Sequence, residues 1–169
     1  MAQTQFATSA KVRASITRMT EHDLLEVVEI EETCGLSIWG WNSYHRELSS
    51  AHETIMLVAR TDDDRANLAE GKTIAGFVIA RVFSNELHIN NVAVRPQCQH
   101  MGIGTRLLSA ALSAGLNRGS VVAFLEVRLS NRTAQKLYRR CGFRVTGRRK
   151  DYYREPLEDA LIMSVALKS

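Results

Sequence analysis

The sequence predicts an α/β fold: a mixed sheet of about seven strands with about four helices, in a single domain over residues 11–169 behind a flexible tail at 1–10. Three observations carry this reading. Residues 54–60, 73–83 and 86–94 are apolar runs separated by polar connections, the order of an antiparallel meander. The run at 86–94 leads through a glycine-bearing loop and a helical pattern into another apolar run at 121–127, which implies a parallel pair joined by a right-handed crossover. Neither an internal repeat nor a shift in composition divides the chain.

In chain order, residues 12–18 alternate as a first strand. Thr20-Glu-His-Asp23 resembles a capping box, with Asp where Glu or Gln is usual. Leu24, Leu25, Val27, Val28 and Ile30 then give a helix one apolar face to about Glu32. Residues 34–41, Cys-Gly-Leu-Ser-Ile-Trp-Gly-Trp, break the period. They form a loop that either folds over the core edge or supplies an apolar wall to a substrate cleft. A second helix follows from about Asn42 to Ser49. The acidic triplet at 62–64 belongs to a polar connection and reads as a solvated turn rather than a metal cluster. Ser84-Asn85 is a tight turn between strands. Ile103, Leu107, Leu108, Ala111, Leu112 and Gly115 mark one face of a helix ending near Gly119. The nearly unbroken apolar run at 121–127 suits a central strand buried on both faces. Asn131 opens the last helix, with Ala134, Leu137 and Tyr138 on one side, and Gly142 closes it. Residues 143–149 form a strand, 151–156 a loop and 160–167 the final strand.

Composition narrows the function classes. At 45% hydrophobic and 24% charged, 169 residues can bury a sizeable core. No run reaches the roughly 20 apolar residues of a membrane span, and the first ten residues lack a basic start followed by an apolar stretch. These features favour a cytoplasmic protein that does not engage a membrane. Three cysteines without Cys-x-x-Cys spacing read as free thiols. The five histidines show no ligand spacing, so no metal is expected. The net charge is +4, with much of the excess between Arg128 and Arg154. That stretch is either a solvated face or one that meets an anionic cofactor or a nucleic-acid-associated partner. No basic stripe is interleaved with aromatic residues, so direct nucleic-acid binding is not expected.

The chemistry concentrates at residues 88–105. A strand ends at Pro96, a loop carries Gly102 and Gly104, and a helix begins. Glycines admit close backbone approach and the first helical N–H groups lack partners, so the stretch suits a phosphate-bearing cofactor. Thr105-Arg106 follows Gly104 where a Walker A loop needs Lys-Ser/Thr, and Leu107 stands where a dinucleotide fingerprint needs its third glycine. What stands is Gln99-x-x-Gly102-x-Gly104.

Downstream come Leu125-Glu-Val-Arg128, Asn131, Ala134-Gln-Lys-Leu-Tyr138 and Cys141-Gly-Phe143, in order and at matching spacing. With the glycine loop, they resemble the GNAT family of N-acetyltransferases. Gly147-Arg-Arg-Lys-Asp-Tyr-Tyr153 and Glu158-Asp-Ala-Leu-Ile-Met163 make the chain look like the RimI group within it, across residues 88–167. That resemblance implies transfer of acetyl from acetyl-CoA to the N-terminal alanine of a small-subunit ribosomal protein. It implies a coenzyme site on Val92, Ala93, Val94, Gln99, His100, Met101, Gly102, Ile103, Gly104, Thr105 and Asn131, with the pyrophosphate on backbone N–H groups of residues 100–105. In the RimI group the residue matching Glu126 takes the proton of the attacking amine, and the one matching Tyr138 gives a proton to the leaving thiolate.

Read on their own, these residues keep plainer roles. Glu126 is a carboxylate in an apolar strand and needs a partner such as Arg128 or a task. Tyr138 is a core aromatic or a proton donor, and Asn131 is an N-cap, a coenzyme contact or both. Leu36, Ile38, Trp39, Trp41, Tyr152 and Tyr153 are the candidate peptide wall. A free α-amine, with a pKa of about 7.7–8.0, is roughly one-tenth neutral at pH 7, whereas a lysine amine at about 10.4 is neutral in only one molecule per few thousand. A glutamate base serves the first more easily. Direct attack on the thioester needs no cysteine nucleophile, which leaves Cys141 to pack and Cys98 as a bystander. Acetylation of lysine side chains or small amines, and a non-catalytic acyl-CoA-binding module, are the alternatives. The chain departs from the family at His100 and Met101, where basic residues are usual, and at Ile38-Trp39-Gly40, where the RimI group has Pro-Trp-Ser.

Overall fold

The computed structural model describes residues 13–36, 38–50 and 52–168. The tail at 1–10, and Lys11 and Val12 after it, lie outside the described residues. The elements are β1 (Ser15–Arg18), α1 (Leu24–Thr33), α2 (Gly40–Ser49), β2 (Thr54–Arg60), β3 (Ile74–Phe83), β4 (Glu86–Val94), α3 (Ile103–Asn117), β5 (Val122–Arg128), α4 (Arg132–Arg140), β6 (Arg144–Arg154) and β7 (Leu157–Ala166). They form a seven-stranded sheet in the order β1-β2-β3-β4-β5-β7-β6. β4 and β5 pair in parallel across α3, and the remaining neighbours are antiparallel.

Local chemistry sets the ends of the elements. The Asp23 carboxylate accepts hydrogen bonds from the Thr20 N–H at 2.8 Å and hydroxyl at 3.1 Å ahead of α1, and takes Arg60 at 2.7 Å. Burial pushes that carboxyl up, but Arg60 and Thr20 outweigh it, and the group titrates below its ordinary value. The Asn131 side chain caps α4 by accepting from the Ala134 N–H at 3.0 Å.

Two cores lie on opposite faces of the sheet. Ile103, Leu107, Leu108 and Ala111 of α3 pack with Val78, Leu87, Ile89, Leu125 and Met163, joined by Tyr138 of α4 and Phe143. Leu24, Val27 and Ile30 of α1 and Tyr44 of α2 pack with Val58, Phe77, Ile79 and Ala93. Each Val, Leu, Ile, Phe or Met side chain among these contributes roughly 1.5–3 kcal/mol when removed from water.

One irregularity decides how β4 serves both cores. Ile79 opposes Asn91 and Ala80 opposes Ile89, so Asn90 is an extra residue, a β-bulge. An inserted residue exchanges the faces of everything beyond it. Leu87 and Ile89 face α3 before the bulge, and Val92 and Val94 do so after it, while Ala93 turns to the α1–α2 side. Past the strand, buried Arg95 reaches the Ile74 carbonyl at 2.8 Å, Glu29 at 2.8 Å and Glu26 at 3.3 Å, tying the end of β4 to α1.

Three sequence expectations are corrected. The first strand covers only Ser15–Arg18. β5 is buried on one face: Ala123, Leu125 and Val127 lie in the α3–α4 core, whereas Phe124, Glu126 and Arg128 line an open cavity. The alternation was hidden because the outward positions include Val122 and Phe124, which are apolar too. The loop expected at 151–156 is mostly strand. β6 continues to Arg154, with Tyr153 opposite Glu158, after an irregularity at residues 150–152 where Asp151 has φ +51°.

Gly76 lies opposite Val94, and a Cβ there would meet the Ala93 carbonyl oxygen at 2.5 Å. The nearest atom is β4 backbone, which cannot swing aside as a side chain can. Gly76→Ala is expected to lower stability by about 1–3 kcal/mol, read as a lower urea midpoint at unchanged slope.

Candidate active site

Pairing between β4 and β5 runs from Glu86↔Val122 to Ile89↔Leu125 and stops. Beyond it, residues 90–94 keep only β3 as a neighbour, and residues 126–128 keep only β7. The strands part at their carboxyl ends, where open α/β sheets characteristically bind ligands. The parting opens a cavity of about 630 Å³. Asn91 and Val92 line it from β4, Glu126 and Arg128 from β5, and Tyr138 from α4, with Asn131 at the start of that helix.

Glu126 projects into this space with a third of its side chain exposed. Arg149 Nε lies 2.9 Å from one of its oxygens, and the Tyr152 hydroxyl donates to the other at 3.1 Å. Its ion-pair partner is therefore Arg149 rather than Arg128. Arg128 instead sits 4.1 Å from the centre of the Tyr153 ring and pairs with Glu158 at 3.3 Å. Tyr138 is buried, leans on Phe143 with ring centres 6.0 Å apart, and its hydroxyl has no hydrogen-bond partner among the described residues. Burial above all, then the neighbouring Tyr153 and Cys141, pushes the Tyr138 phenol well above its ordinary value. Burial, only partly opposed by Arg128, pushes Tyr153 up to about 12. Both phenols keep their protons throughout the neutral range, so each can donate a hydrogen bond. The cavity thus holds the Glu126 carboxylate and three phenols, those of Tyr138, Tyr152 and Tyr153.

The loop at 34–41 is held from beneath. Buried Glu31 accepts from the Trp39 N–H at 2.8 Å, the Gly40 N–H at 3.1 Å and the Tyr44 hydroxyl at 2.5 Å, and Asn91 donates to the Tyr44 oxygen at 3.1 Å. This chain of bonds brings Leu36 and Trp39 to the cavity. Tyr152 and Tyr153 face them from β6. Trp41 does not line the cavity. It stacks on His45 of α2, with ring centres 4.6 Å apart, and Ile38 is 75% exposed.

The glycine loop lies where β4 ends. Gln99 donates from Nε2 to the Val94 carbonyl at 3.1 Å. His100 and Gly102 have φ of +62° and +81°, left-handed turns on either side of Met101. The first α3 hydrogen bond is Arg106 N–H to the Gly102 carbonyl at 3.1 Å, and Gly102 supplies no side-chain cap. The N–H groups of Ile103, Gly104 and Thr105 therefore stand at an open helix N-terminus. Ile103 itself is core and Met101 is half-buried. A Cβ on Gly104 would lie 3.1 Å from Leu137, so the glycine lets α3 approach α4 closely. Ala93 has its side chain in the core behind β4, leaving only its backbone for a ligand.

Residues unnoticed in the sequence also reach the cavity. His88, stacked on Phe124 at 5.7 Å and 2.8 Å from Glu86, lines it, as do Asn91 and Arg149. The adjacent Asn90 and Asn91, interrupting an apolar strand, were the available signal for the bulge. Arg149 offered none, being one of several basic residues in its stretch. Burial raises all three thiols, including Cys34 at the cavity wall, which marks them as thiols rather than thiolates. Among the described residues no cluster of His, Cys, Asp and Glu could hold a metal ion, and no helix is long and apolar enough to cross a membrane.

Comparison with known proteins points the same way as this geometry. Residues 24–143 match the model of the acetyltransferase (GNAT) family. A Salmonella typhimurium [ribosomal protein bS18]-alanine N-acetyltransferase is 30% identical over 155 residues, covering 90% of this chain and 97% of that protein. The N-alpha-acetyltransferase RimI of Mycobacterium tuberculosis is 32% identical over 155 residues, covering 88% and 90%. The crystal structure of the ribosomal-protein-S18-alanine N-acetyltransferase from Escherichia coli superposes with a TM-score of 0.74 at 26% identity, covering 93% of this chain and 96% of that one.

Tyr44→Phe removes the hydroxyl that links Asn91 to Glu31 and leaves two buried polar groups short of a partner. It is expected to cost about 1–3 kcal/mol in denaturation and to speed proteolysis within the loop at 34–41.

Proposed function

The chain belongs to the acetyltransferase (GNAT) family and is an N-acetyltransferase; from that premise we propose that it moves acetyl from acetyl-CoA to a protein α-amino group, the N-terminal alanine of a ribosomal protein of the bS18 kind. One observation supports this above the others: Glu126 and Tyr138 face a single cavity, and that cavity exists because β4 and β5 part.

The residues present fit acetyl-CoA. Uncapped N–H groups at the α3 N-terminus, with the turned backbone of His100 and Gly102, suit a pyrophosphate without a basic side chain at 100 or 101. The edge of β4 at residues 92–94, which no strand covers although the Val94 carbonyl accepts from Gln99, suits an amide-bearing arm that would add to the sheet as a strand does. Asn131, already a cap through its oxygen, still has its amide N–H₂ to offer at the cavity wall. When bound, acetyl-CoA supplies a thioester carbonyl open to attack by a neutral amine.

The chain's own residues do the rest. A carboxylate oxygen of Glu126, directly or through one water, takes the proton that the amine must lose. Tyr138 Oη, at the cavity wall and without a protein acceptor among the described residues, gives its proton to the sulfur as negative charge develops there with cleavage of the C–S bond. Leu36, Trp39, Tyr152 and Tyr153 border the entrance and take the first residues of the peptide. Apolar and aromatic walls suit a peptide better than a small polar amine, and an α-amine suits a single carboxylate base better than a lysine does.

Incubation with acetyl-CoA and peptides that differ in their first residue, free or blocked at the N-terminus, tests the substrate class by mass spectrometry. Free N-termini beginning with alanine should gain one acetyl group; acetylation confined to lysines of blocked peptides would contradict the reading. Glu126→Gln and Tyr138→Phe should each lower kcat by about 10²–10⁴ while calorimetry still detects acetyl-CoA binding.

A further inference from the structure

Glu126 is already occupied by a cation. Arg149 Nε holds one carboxylate oxygen at 2.9 Å, and the Tyr152 hydroxyl holds the other at 3.1 Å. A protonated α-amine entering the cavity needs the same carboxylate. We propose that Arg149 is a placeholder for the substrate's ammonium group, pairing with Glu126 while the cleft is empty, yielding to the incoming amine and returning once the amine has become an uncharged amide.

Three features suit Arg149 to this exchange. First, the pair is open to water: 54% of the Arg149 side chain and 33% of the Glu126 side chain are exposed, so the bond is weak enough to be replaced. Second, Arg149 sits where the ladder loosens. β6 is an edge strand paired only with β7, and its register breaks between Arg149 and Tyr153. Third, a resting place is at hand. The guanidinium lies 5.6 Å from the centre of the Tyr152 ring, and an aromatic face can keep a cation after its carboxylate is taken. Arg128 cannot take this part, because Glu158 and the carbonyls of Glu155 and Pro156 hold its guanidinium over Tyr153.

The exchange gives direction to the cycle. Free amine and guanidinium compete as cation against cation. The acetylated N-terminus carries no charge, so it cannot hold the carboxylate against Arg149, and the returning guanidinium favours release of product. Arg149 is in this sense a positioning residue that acts through Glu126. The inference rests on the reading that Glu126 receives the amine.

The test compares Arg149→Gln and Arg149→Lys with the parent enzyme for KM of a free alanine peptide, kcat, and inhibition by the acetylated product peptide. Removing the competitor should lower KM and the product inhibition constant of Arg149→Gln together, by roughly two- to fivefold, the range of an exposed ion pair. Arg149→Lys, which keeps the charge, should stay close to the parent in both. A purely structural role would change the melting temperature without strengthening product inhibition. Arg149→Ala serves as a second uncharged variant should the glutamine form fold poorly. Unchanged or raised KM with unchanged product inhibition in the uncharged variants would overturn the inference. Full turnover in Glu126→Gln would overturn the underlying reading instead, so the two failures are distinguishable.

Discussion

The parting of β4 from β5 after Ile89 and Leu125 is the constraint on which the rest of the molecule depends. Two parallel neighbours ordinarily satisfy each other's backbone along their whole length. Here the pairing lasts for four residue pairs, and the extra residue Asn90 bends β4 away just where it ends. The break does three things at once. It exposes a strand edge, opens a cavity at the mouth of the sheet and aims Asn91 at the α1–α2 side, where it bonds to Tyr44. An uninterrupted β4 would place Asn91 on the opposite face and remove the support from the loop that walls the cavity.

Around this opening, buried and exposed charges have different tasks. The guanidinium of Arg95, bonded to the Ile74 carbonyl and to Glu29 and Glu26, and the carboxylate of Glu31, bonded to Tyr44, Trp39 and Gly40, are buried. Breaking such groups is costly, so they lock β4 and the loop at 34–41 in place. Glu126, Arg149 and Tyr152 lie at the water boundary with weaker, replaceable contacts. Rigid ion pairs frame the site, and labile ones occupy it.

Much of this was legible in the residues. The strands at 54–60 and 86–94 stand where the apolar runs placed them, and the parallel crossover follows from the order of elements. The glycine loop, Glu126, Asn131 and Tyr138 were singled out by spacing and resemblance, and they do converge on one end of the sheet. What escaped depended on partners distant in sequence. The one-sided burial of β5 was masked by apolar residues on its open face. The continuation of β6 through Tyr152 and Tyr153 depends on pairing with β7, which no local propensity reports. Trp41 shares a stretch with Trp39, but the helical turn at its position sends it toward His45 instead of the cavity. Arg149 becomes meaningful only once β7 has brought β6 within reach of β5.

In the proposed reaction, the parted strands bring an amine at Glu126 against a thioester held between β4 and α4, with Tyr138 beside the sulfur. A crystal structure with a conjugate joining coenzyme A to an alanine-initiated peptide through an acetyl bridge tests it most directly. The peptide's first nitrogen is expected within hydrogen-bond reach of the Glu126 carboxylate, or one water away, with the sulfur beside Tyr138 Oη and the pyrophosphate on the α3 N-terminus. A conjugate seated elsewhere, leaving the β4–β5 opening empty and Glu126 still paired with Arg149, would contradict the account.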